Sequence, residues 1–425
     1  MKLIEELKAR GLVEALTDPD IEKALEKPTT VYCGFDPSAK SLQAGNLVSI
    51  MVLKRFQQAG HKVIALVGGA TGLIGDPSGK SAERNMLTLE QVEENKRGIR
   101  DNLSRILDFD GPNAAIMVDN YDWYKATSAI EFLRDIAINF RVPQMLAKES
   151  VKKRLEASEG ALTFTEFSYQ ILQGNDFLHL YDTYGCTLEV GGADQWGNIT
   201  AGTDLVHRMR GKTAYGLTFP LLLDSSGRKF GKSEGNALFM NGEMTSVFDW
   251  YQYFLRAADA DVIRYLKVFS MKSLEEIAEL EAQMKADPEA RIPQKALAEE
   301  ITLLVHGEEG LKKAKDATAA LFGAKSSGGE GGRMDAETML QVFANVSSAT
   351  VAKGDVVGKS VFAVAAASGM FKSNGEARRM AQQGGLSLND AKVDDKRVFE
   401  EGDIVDGKVA VLRSGKKNHF LLKIQ

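Results

Sequence analysis

The sequence predicts an α/β fold: a parallel sheet covered by helices, then a helical segment, then a small C-terminal module. Three patterns predict it. Short β-branched runs alternate with helical spacing through the first third, as the strands and crossover helices of a parallel sheet do. From about Ser246 the pattern becomes largely helical. At Gly323-Ala-Lys-Ser-Ser-Gly-Gly-Glu-Gly-Gly-Arg333 the chain is short of apolar residues, which reads as a flexible linker and a domain boundary. The 425 residues are 44% apolar and 26% charged, a composition that fills a sizeable core in two or three domains and excludes disorder as the main state.

Taken in order, Thr29-Thr30-Val31-Tyr32-Cys33-Gly34-Phe35 reads as the first strand. Leu47, Ile50 and Met51 then recur at helical spacing until Gly60 closes the helix, and Val63 to Val67 reads as the second strand, completing a βαβ unit. Leu89 to Leu107 carries mixed charges on a 3.6-like apolar recurrence and predicts the next crossover helix, followed by a strand at Ala114 to Val118. Leu188-Glu189-Val190 before Gly191-Gly192 reads as a further strand end. Polar or glycine-rich loops directly after such strands are where open α/β sheets bind ligands. In the helical stretch Leu297, Ile301 and Leu304 share a face, with a break at Gly307 to Gly310 before Leu311 to Phe322. Beyond the linker, Ser373-Asn-Gly-Glu376 has the form of a capping box, and Val409 to Ile424 that of a hairpin.

Charge and cysteines narrow the function. Lys and Arg total 53 against 58 Asp and Glu, a net charge of -5, too mild to announce a polyanionic partner. Val351 to Gln425, however, holds thirteen basic and nine acidic residues, so a basic module sits on an acidic body. Cys33 and Cys186 are the only cysteines and have no metal-ligand spacing with each other or with the five scattered histidines. No disulfide framework, metal cluster or His-based triad is expected. The first residues interleave acids with apolar side chains, and no run approaches the ~18 to 20 apolar residues of a membrane span. A soluble cytoplasmic protein is expected.

Three loops carry candidate chemistry. The glycine cluster Gly68-Gly-Ala-Thr-Gly-Leu-Ile-Gly-Asp-Pro-Ser-Gly-Lys80 fails the Walker spacing, which would need glycine where Ile74 stands. What remains is a loop whose missing Cβ atoms admit a small ligand, with Asp76, Lys80 and Arg84 offering charge; on these residues alone a plain turn weighs equally. Lys229-Phe-Gly-Lys-Ser233 offers two cations suited to phosphate, although a solvated charged loop is the commoner meaning. Gly191-Gly-Ala-Asp-Gln-Trp-Gly-Asn198 follows a strand and offers a carboxylate to sugar hydroxyls, and again a turn is as good a reading. Tyr32 and Asp176, by themselves, are equally core packing and a helix-surface carboxylate.

The order of these pieces changes the balance. Tyr32-Cys-Gly-Phe-Asp-Pro37, Gly68-Gly-Ala-Thr-Gly-Leu-Ile-Gly-Asp-Pro77, Phe164-Thr-Glu-Phe-Ser-Tyr169, Gly191-Gly-Ala-Asp-Gln-Trp-Gly-Asn198 and Lys229-Phe-Gly-Lys-Ser233 together resemble the bacterial tyrosyl-tRNA synthetases of class I. The resemblance covers essentially the whole chain. It implies a Rossmann-like parallel-sheet catalytic domain at 1–245, an α-helical anticodon-binding domain at 246–322, a flexible linker region at 323–350 and a small α+β ribosomal-protein-like RNA-binding domain at 351–425. It also implies ATP-driven activation of tyrosine to tyrosyl-adenylate, followed by transfer to tRNA(Tyr), in a homodimer. This chemistry suits the residues: the tyrosine carboxylate, ionised at pH 7, attacks the α-phosphate itself, so the protein must position substrates and neutralise charge.

Carried onto this chain, the resemblance gives Tyr32 and Asp176 to the phenol hydroxyl of tyrosine. Such a buried polar pair is left unmatched by phenylalanine, and this family is itself the usual illustration of that rejection. Asp76, Tyr169 and Gln173 would hold the α-ammonium, and Asn120 and Trp123 would line the tyrosine pocket. Cys33, Gly34, Asp36, Ser38, Gly45, Ser49, Gly192, Asp194 and Lys232 would form the ATP site, with Gly192 and Asp194 at the ribose. Gln195 would meet the reacting carboxylate. Lys80, Arg84, Lys229 and Lys232 would stabilise the departing pyrophosphate with Mg²⁺, without a protein metal site. Arg378, Arg379, Lys416 and Lys417 are the candidate tRNA phosphate contacts.

One motif departs from the family. Where class I enzymes carry H-x-G-H, this chain reads Gln43-Ala44-Gly45-Asn46. Side-chain amides can each donate a hydrogen bond in place of a neutral imidazole but cannot carry charge, so Gln43 and Asn46 are the expected substitutes at the transition state. The alternative is a non-catalytic RNA-binding relative with an inactivated nucleotide site. A tryptophanyl enzyme is a second alternative, against which the Tyr32 and Asp176 pair argues, since indole has no para hydroxyl to match.

Overall fold

The structure, a computed structural model, describes residues 2–78, 86–156, 162–233, 236–322, 335–343, 346–389, 391–394, 396–415 and 418–425. It divides into two compact units, Met1–Thr245 with Tyr253–Val305, and Ser246–Gln252 with His306–Gln425. The first is built on a six-stranded sheet of β1 (Ala15–Leu16), β2 (Thr30–Phe35), β3 (Lys62–Val67), β4 (Ile116–Asp119), β5 (Cys186–Gly192) and β6 (Tyr215–Phe219). Its spatial order is β1-β6-β5-β2-β3-β4. Only β1 runs antiparallel. β2 and β3 are apolar almost throughout because the sheet is covered on both faces, leaving Val31, Val63, Ile64, Ala65 and Val67 fully buried. From β2 the chain proceeds outward to β3 and β4, whereas from β5 it proceeds the opposite way to β6, so the strand order reverses between β2 and β5. That reversal opens a crevice at the carboxyl ends of the two strands.

The connecting helices follow the sequence pattern with local shifts. The helix Leu47–Gln58 buries Leu47, Ile50, Met51, Leu53 and Phe56 between β2 and β3. Helix Leu89–Ser104 opens on Thr88, whose hydroxyl accepts from the Gln91 amide while the Gln91 side chain accepts from the Thr88 amide. It ends three residues before the expected Leu107, and Ile106 and Leu107 are buried from a following turn. β4 likewise begins two residues late, because the Ala115 amide bonds Asp108 O at 2.8 Å and keeps that segment in the turn. Helix Phe164–Tyr184 is capped by Thr163 and closed by Gly185 at φ 63°. It carries Tyr169, Gln173 and Asp176 at positions i, i+4 and i+7, on one face. A two-stranded ribbon of β7 (Lys232–Ser233) and β8 (Asn236–Ala237) follows β6.

The expected helical stretch is present as Val247–Leu255, Asp259–Phe269, Leu274–Ala286 and Ile292–Phe322, and in the last of these Gly307 alone leaves helical geometry. The second unit contains a five-stranded sheet, β9 (Ser348–Val351), β10 (Leu386–Leu388), β11 (Ala391–Lys392), β12 (Val409–Ser414) and β13 (Asn418–Ile424), in the order β11-β10-β12-β13-β9. β12 and β13 form the predicted hairpin, and their alternate residues bury both faces. Ala410, Leu412 and Leu422 meet the helices Val361–Ala367 and Asn374–Gln382, while Val409, Val411 and Leu421 meet Ala336, Met339 and Phe343. Ser373 caps its helix as expected, but the Glu376 carboxylate reaches back to the Lys372 amide, one residue earlier than a capping box requires. Of the stretch 323–350, residues 323–334, 344 and 345 lie outside the described residues, and the others carry helix Ala336–Val342 and the start of β9. Ala336, Met339 and Phe343 are buried there because their i, i+3 and i+7 spacing makes one apolar face. That packed part is not a flexible linker.

Candidate active site

The crevice between β2 and β5 is a cavity of about 390 Å³. Its floor is polar and buried. Asp176, 2% exposed, accepts from Asn120 Nδ2 at 3.0 Å and from Trp123 Nε1 at 2.9 Å. Asn120 is itself fixed, since its Oδ1 accepts from the Ala70 amide at 2.7 Å and its Nδ2 also donates to Thr71 Oγ1. Trp123 is held by His179, which stacks on it with ring centres 4.2 Å apart. Burial pushes the Asp176 carboxyl up to about 7, against the pull of these donors. Asn120 and Trp123 therefore act at the cavity floor by holding the Asp176 carboxylate in place. Asp176 itself is not a helix-surface carboxylate.

Beside Asp176 stand Tyr32, 1% exposed, and Glu189, 2% exposed, which are paired across the β2–β5 ladder. Glu189 Oε1 accepts from Gln173 Nε2 at 2.9 Å, and the Glu189 carboxyl and the Tyr32 hydroxyl interact across the ladder. Burial pushes the Glu189 carboxyl up to about 8, and it raises the Tyr32 phenol well above its ordinary range. Glu189 was not among the residues expected at the site. Its signal was an acid in the middle of an apolar strand, Leu188-Glu189-Val190, which a covered parallel sheet tolerates only where a polar partner or ligand is supplied.

One wall is a chain of hydrogen bonds that links the glycine loops. The Tyr169 hydroxyl donates to Asp36 Oδ2 at 2.7 Å, and Thr71 Oγ1 donates to Asp36 Oδ1 at 2.7 Å. Asp76 accepts from the Ser78 amide at 2.9 Å and from Gln195 Nε2 at 2.6 Å, and Asn198 Nδ2 lies 3.1 Å from Gln195 Oε1. Asp76 and Gln195, 119 residues apart, are thus one unit. Gly68 and Gly69 of the first loop serve this packing and not ligand approach: a Cβ on Gly68 would stand 2.1 Å from Asp36 Oδ1, and one on Gly69 would stand 2.2 Å from Asp119 Oδ1. In the second loop a Cβ on Gly192 would stand 2.6 Å from Asp194 Oδ1.

At the mouth, Gln43 to Asn46 form a single turn leading into helix Leu47–Gln58, and Asn46 Oδ1 accepts from the Gln43 amide at 3.0 Å. With its oxygen engaged there, the Asn46 amide keeps its NH₂ as the group available for donation. The Lys229 to Ser233 loop lies against this turn. The Phe230 ring anchors it among Tyr253, Tyr265 and Phe269, and the Gly231 amide donates to the Tyr253 hydroxyl at 2.8 Å. Gly231 has φ 81°, and a Cβ there would sit 3.1 Å from the Gly45 amide nitrogen. Glycine is required on both counts. Lys229 and Lys232 line the cavity with Cys33, Gly34, Ser38, Gln43, Gly45, Asn46, Ser49, Gly192 and Asp194.

The cleft therefore brings together, as walls or supports, every described residue expected there. Lys80 and Arg84 lie outside the described residues, as do Lys416 and Lys417. Arg378 and Arg379 are exposed on helix Asn374–Gln382 of the second unit, Arg378 with its guanidinium over the Phe362 ring. Among the described residues no helix is long and apolar enough to cross a membrane.

Comparison with known proteins gives a consistent result over the whole length. The family described as tRNA synthetases class I (W and Y) matches residues 23–323, and the tyrosine–tRNA ligase SYY-like C-terminal domain matches residues 338–422. A tyrosine–tRNA ligase of Flavobacterium johnsoniae is 46% identical over 428 residues, covering 99% of each chain. That of Rhodopirellula baltica is 47% identical, covering 100% of this chain and 96% of the relative. A C-terminally truncated mitochondrial tyrosyl-tRNA synthetase of Aspergillus nidulans superposes with a TM-score of 0.67 at 30% identity, over 74% of this chain and 92% of that one. A tryptophanyl-tRNA synthetase of Encephalitozoon cuniculi shares the fold, with a TM-score of 0.52 at 16% identity, over 73% of this chain and 87% of that one.

Proposed function

Since the chain belongs to the class I tRNA synthetases for tryptophan and tyrosine, we propose that it is a tyrosine–tRNA ligase whose two steps are carried by the cleft between β2 and β5. It activates L-tyrosine with ATP to tyrosyl-adenylate, releasing pyrophosphate, and then transfers the tyrosyl group to tRNA(Tyr). The observation that carries the tyrosine reading is Asp176. It is a buried carboxylate on the cavity floor, held in place by two donors, with Tyr32 beside it. A phenol O–H donated to Asp176 and accepting from Tyr32 satisfies both groups, and an indole offers nothing at that point.

The remaining roles follow from position. The Asp76 carboxylate, steadied by Ser78 and Gln195, is the counter-charge for the α-ammonium, with Tyr169 and Gln173 beside it. Gln195 lies next to the substrate carboxylate, which attacks the α-phosphorus without a protein nucleophile. Asn46, whose oxygen is engaged by Gln43, donates from its NH₂ to the phosphates, and the turn it closes opens a helix whose amides favour anions. Lys229 and Lys232 meet the charge that builds on the pyrophosphate, together with Lys80 and Arg84. Asp194 and Gly192 face the ribose. Mg²⁺ would enter with the ATP substrate and supply charge neutralisation at the phosphates, beside Lys229 and Lys232.

The chain divides by role into a catalytic domain at 1–245, an anticodon-binding helical domain at 246–322, a connection at 323–350 and an RNA-binding module at 351–425, where Arg378, Arg379, Lys416 and Lys417 contact tRNA phosphates. It works in the cytoplasm, where its tRNA is. It is a homodimer, which is supported by a run of exposed apolar side chains, Ile130, Leu133, Ile138, Val142, Leu155 and Phe164, on the first unit. Sedimentation of the purified protein at the mass of a single chain would remove the dimer.

ATP–pyrophosphate exchange tests the function, with tyrosine, phenylalanine and tryptophan compared as the dependent amino acid. Exchange requiring tyrosine is expected. A folded protein that binds tRNA(Tyr) but supports no exchange would instead be a non-catalytic RNA-binding relative.

A further inference from the structure

The floor of the cleft holds one acid more than the recognition of a phenol requires. Glu189 lies on β5 directly opposite Tyr32 in the strand register, with one carboxyl oxygen tied to Gln173 Nε2 and the carboxyl in hydrogen-bonding contact with the Tyr32 hydroxyl. A bond between an acid and a phenol can run either way, and its direction decides whether the Tyr32 proton is left for a third group. We propose that Glu189 is a specificity-determining positioning residue: when the phenol of tyrosine seats, Glu189 Oε2 donates to the Tyr32 oxygen and so leaves the Tyr32 proton for the phenol. The inference rests on the reading of the cleft as a tyrosine site.

The direction of the relay follows from what each group can do. The phenol donates its proton to Asp176, whose oxygens already accept from Asn120 and Trp123. The phenol oxygen must then accept, and Tyr32 is the available donor. Tyr32 can point its proton at the substrate only if nothing else claims it. An ionised Glu189 would claim it, because a carboxylate is acceptor-only and a charged acceptor binds an O–H more strongly than a neutral phenol does. The protonated acid instead donates and leaves the Tyr32 proton free. The groups facing Glu189 are Tyr32 and Cys33 of β2, Gln173 and Asp176 of helix Phe164–Tyr184, Cys186 of its own strand and the bare Gly202 of helix Trp196–Arg210. Burial and the Asp176 carboxylate push Glu189 up to about 8, and burial raises both thiols well beyond that. Around neutral pH the acid form prevails.

The test is tyrosine- and phenylalanine-dependent pyrophosphate exchange with the full chain between pH 6 and 9.5. The ratio of kcat/KM for the two substrates cancels the titration of their shared α-amino group. In the unsubstituted protein the preference for tyrosine is expected to fall about five- to tenfold in all as the pH passes about 8 and to level off there, as the relay reverses. Glu189→Gln, whose amide donates to Tyr32 and accepts from Gln173 at every pH, is expected to abolish that alkaline fall. Glu189→Leu is expected to lower the preference about five- to tenfold at all pH, the worth of one hydrogen bond. An alkaline fall that persists in Glu189→Gln overturns the proposal whether or not the leucine variant folds, and so does an undiminished preference in a folded Glu189→Leu protein. Unsubstituted protein without tyrosine-dependent exchange at any pH would overturn the functional reading itself.

Discussion

Replacing Tyr32 by phenylalanine should leave the fold intact and make a poorer tyrosine enzyme. The Tyr32 ring packs edge-on against Phe177 with centres 5.2 Å apart, a contact that phenylalanine keeps, and the substitution removes only the hydroxyl that faces Glu189 and Asp176. Losing that contact to Glu189 costs no more than about 0.5–1.5 kcal/mol, which moves the melting temperature of the catalytic unit by ~2–4 °C for each kcal/mol. The same substitution removes one hydrogen bond to the phenol, about 0.5–1.5 kcal/mol, and should raise the KM for tyrosine ~2–12-fold while leaving the KM for ATP unchanged. Calorimetry with and without tyrosine, beside pyrophosphate exchange, measures both arms. An unchanged tyrosine KM in a folded Tyr32→Phe protein would refute the assignment of Tyr32 as a donor to the phenol.

Other expectations follow from single contacts. Trp123→Phe removes the 2.9 Å donor to Asp176, so an acid that burial already holds at about 7 should protonate at still higher pH. Because the carboxylate is the form that accepts the phenol proton, the tyrosine KM of this variant should worsen several-fold at pH 6.5 and much less at pH 8.5; a uniform change across pH would contradict it. Gly231→Ala should lower kcat and raise the KM for ATP about tenfold without altering tyrosine affinity in equilibrium dialysis. The reason is that its Cβ, at φ 81° and 3.1 Å from the Gly45 amide nitrogen, displaces the lysine loop from the Gln43 to Asn46 turn. Arg378→Ala with Arg379→Ala should weaken tRNA(Tyr) binding and reduce its dependence on log salt by roughly 1.5, two phosphate contacts' worth, while pyrophosphate exchange is untouched; an unchanged salt slope would return those arginines to the solvated surface.

How much of this was visible beforehand varied with the range of the interactions. β2, β3 and helix Leu47–Gln58 were legible because a doubly covered sheet demands continuous apolar runs, and the hairpin of β12 and β13 because its alternation is local. The partners of Asp176 were not, because Asn120 and Trp123 reach it across 56 and 53 residues. From their own surroundings in the chain, Tyr32 and Asp176 read as packing and surface; it was the order of the motifs, through the family resemblance, that pointed to a phenol site. The glycines of the first loop show a different failure. They suggest room for a ligand, but at Gly68 and Gly69 the room is taken by Thr71 of the loop itself and by Asp36 and Asp119, side chains placed by two other segments.

Asp176 and Glu189 also bear on what the site costs the fold. A carboxyl that folding moves up favours the protonated form of the native state, so the native state is least penalised below the ordinary value and loses stability as pH rises toward the raised one. For Glu189 the window runs from 4.5 to about 8, and the loss across it is on the order of 4–5 kcal/mol as an upper bound for a fully buried group. Asp176 adds a second loss over a window that begins at 3.8 and ends at about 7. Both windows close near neutrality, with more donors pulling on Asp176, which accepts from Asn120 and Trp123, than on Glu189, which accepts from Gln173. A floor that burial penalises in this way gains most from the one ligand that supplies both a donor and an acceptor at the same atom. Phenylalanine, with neither, leaves the floor as it was, so the same buried groups that weaken the empty protein are the source of its selectivity.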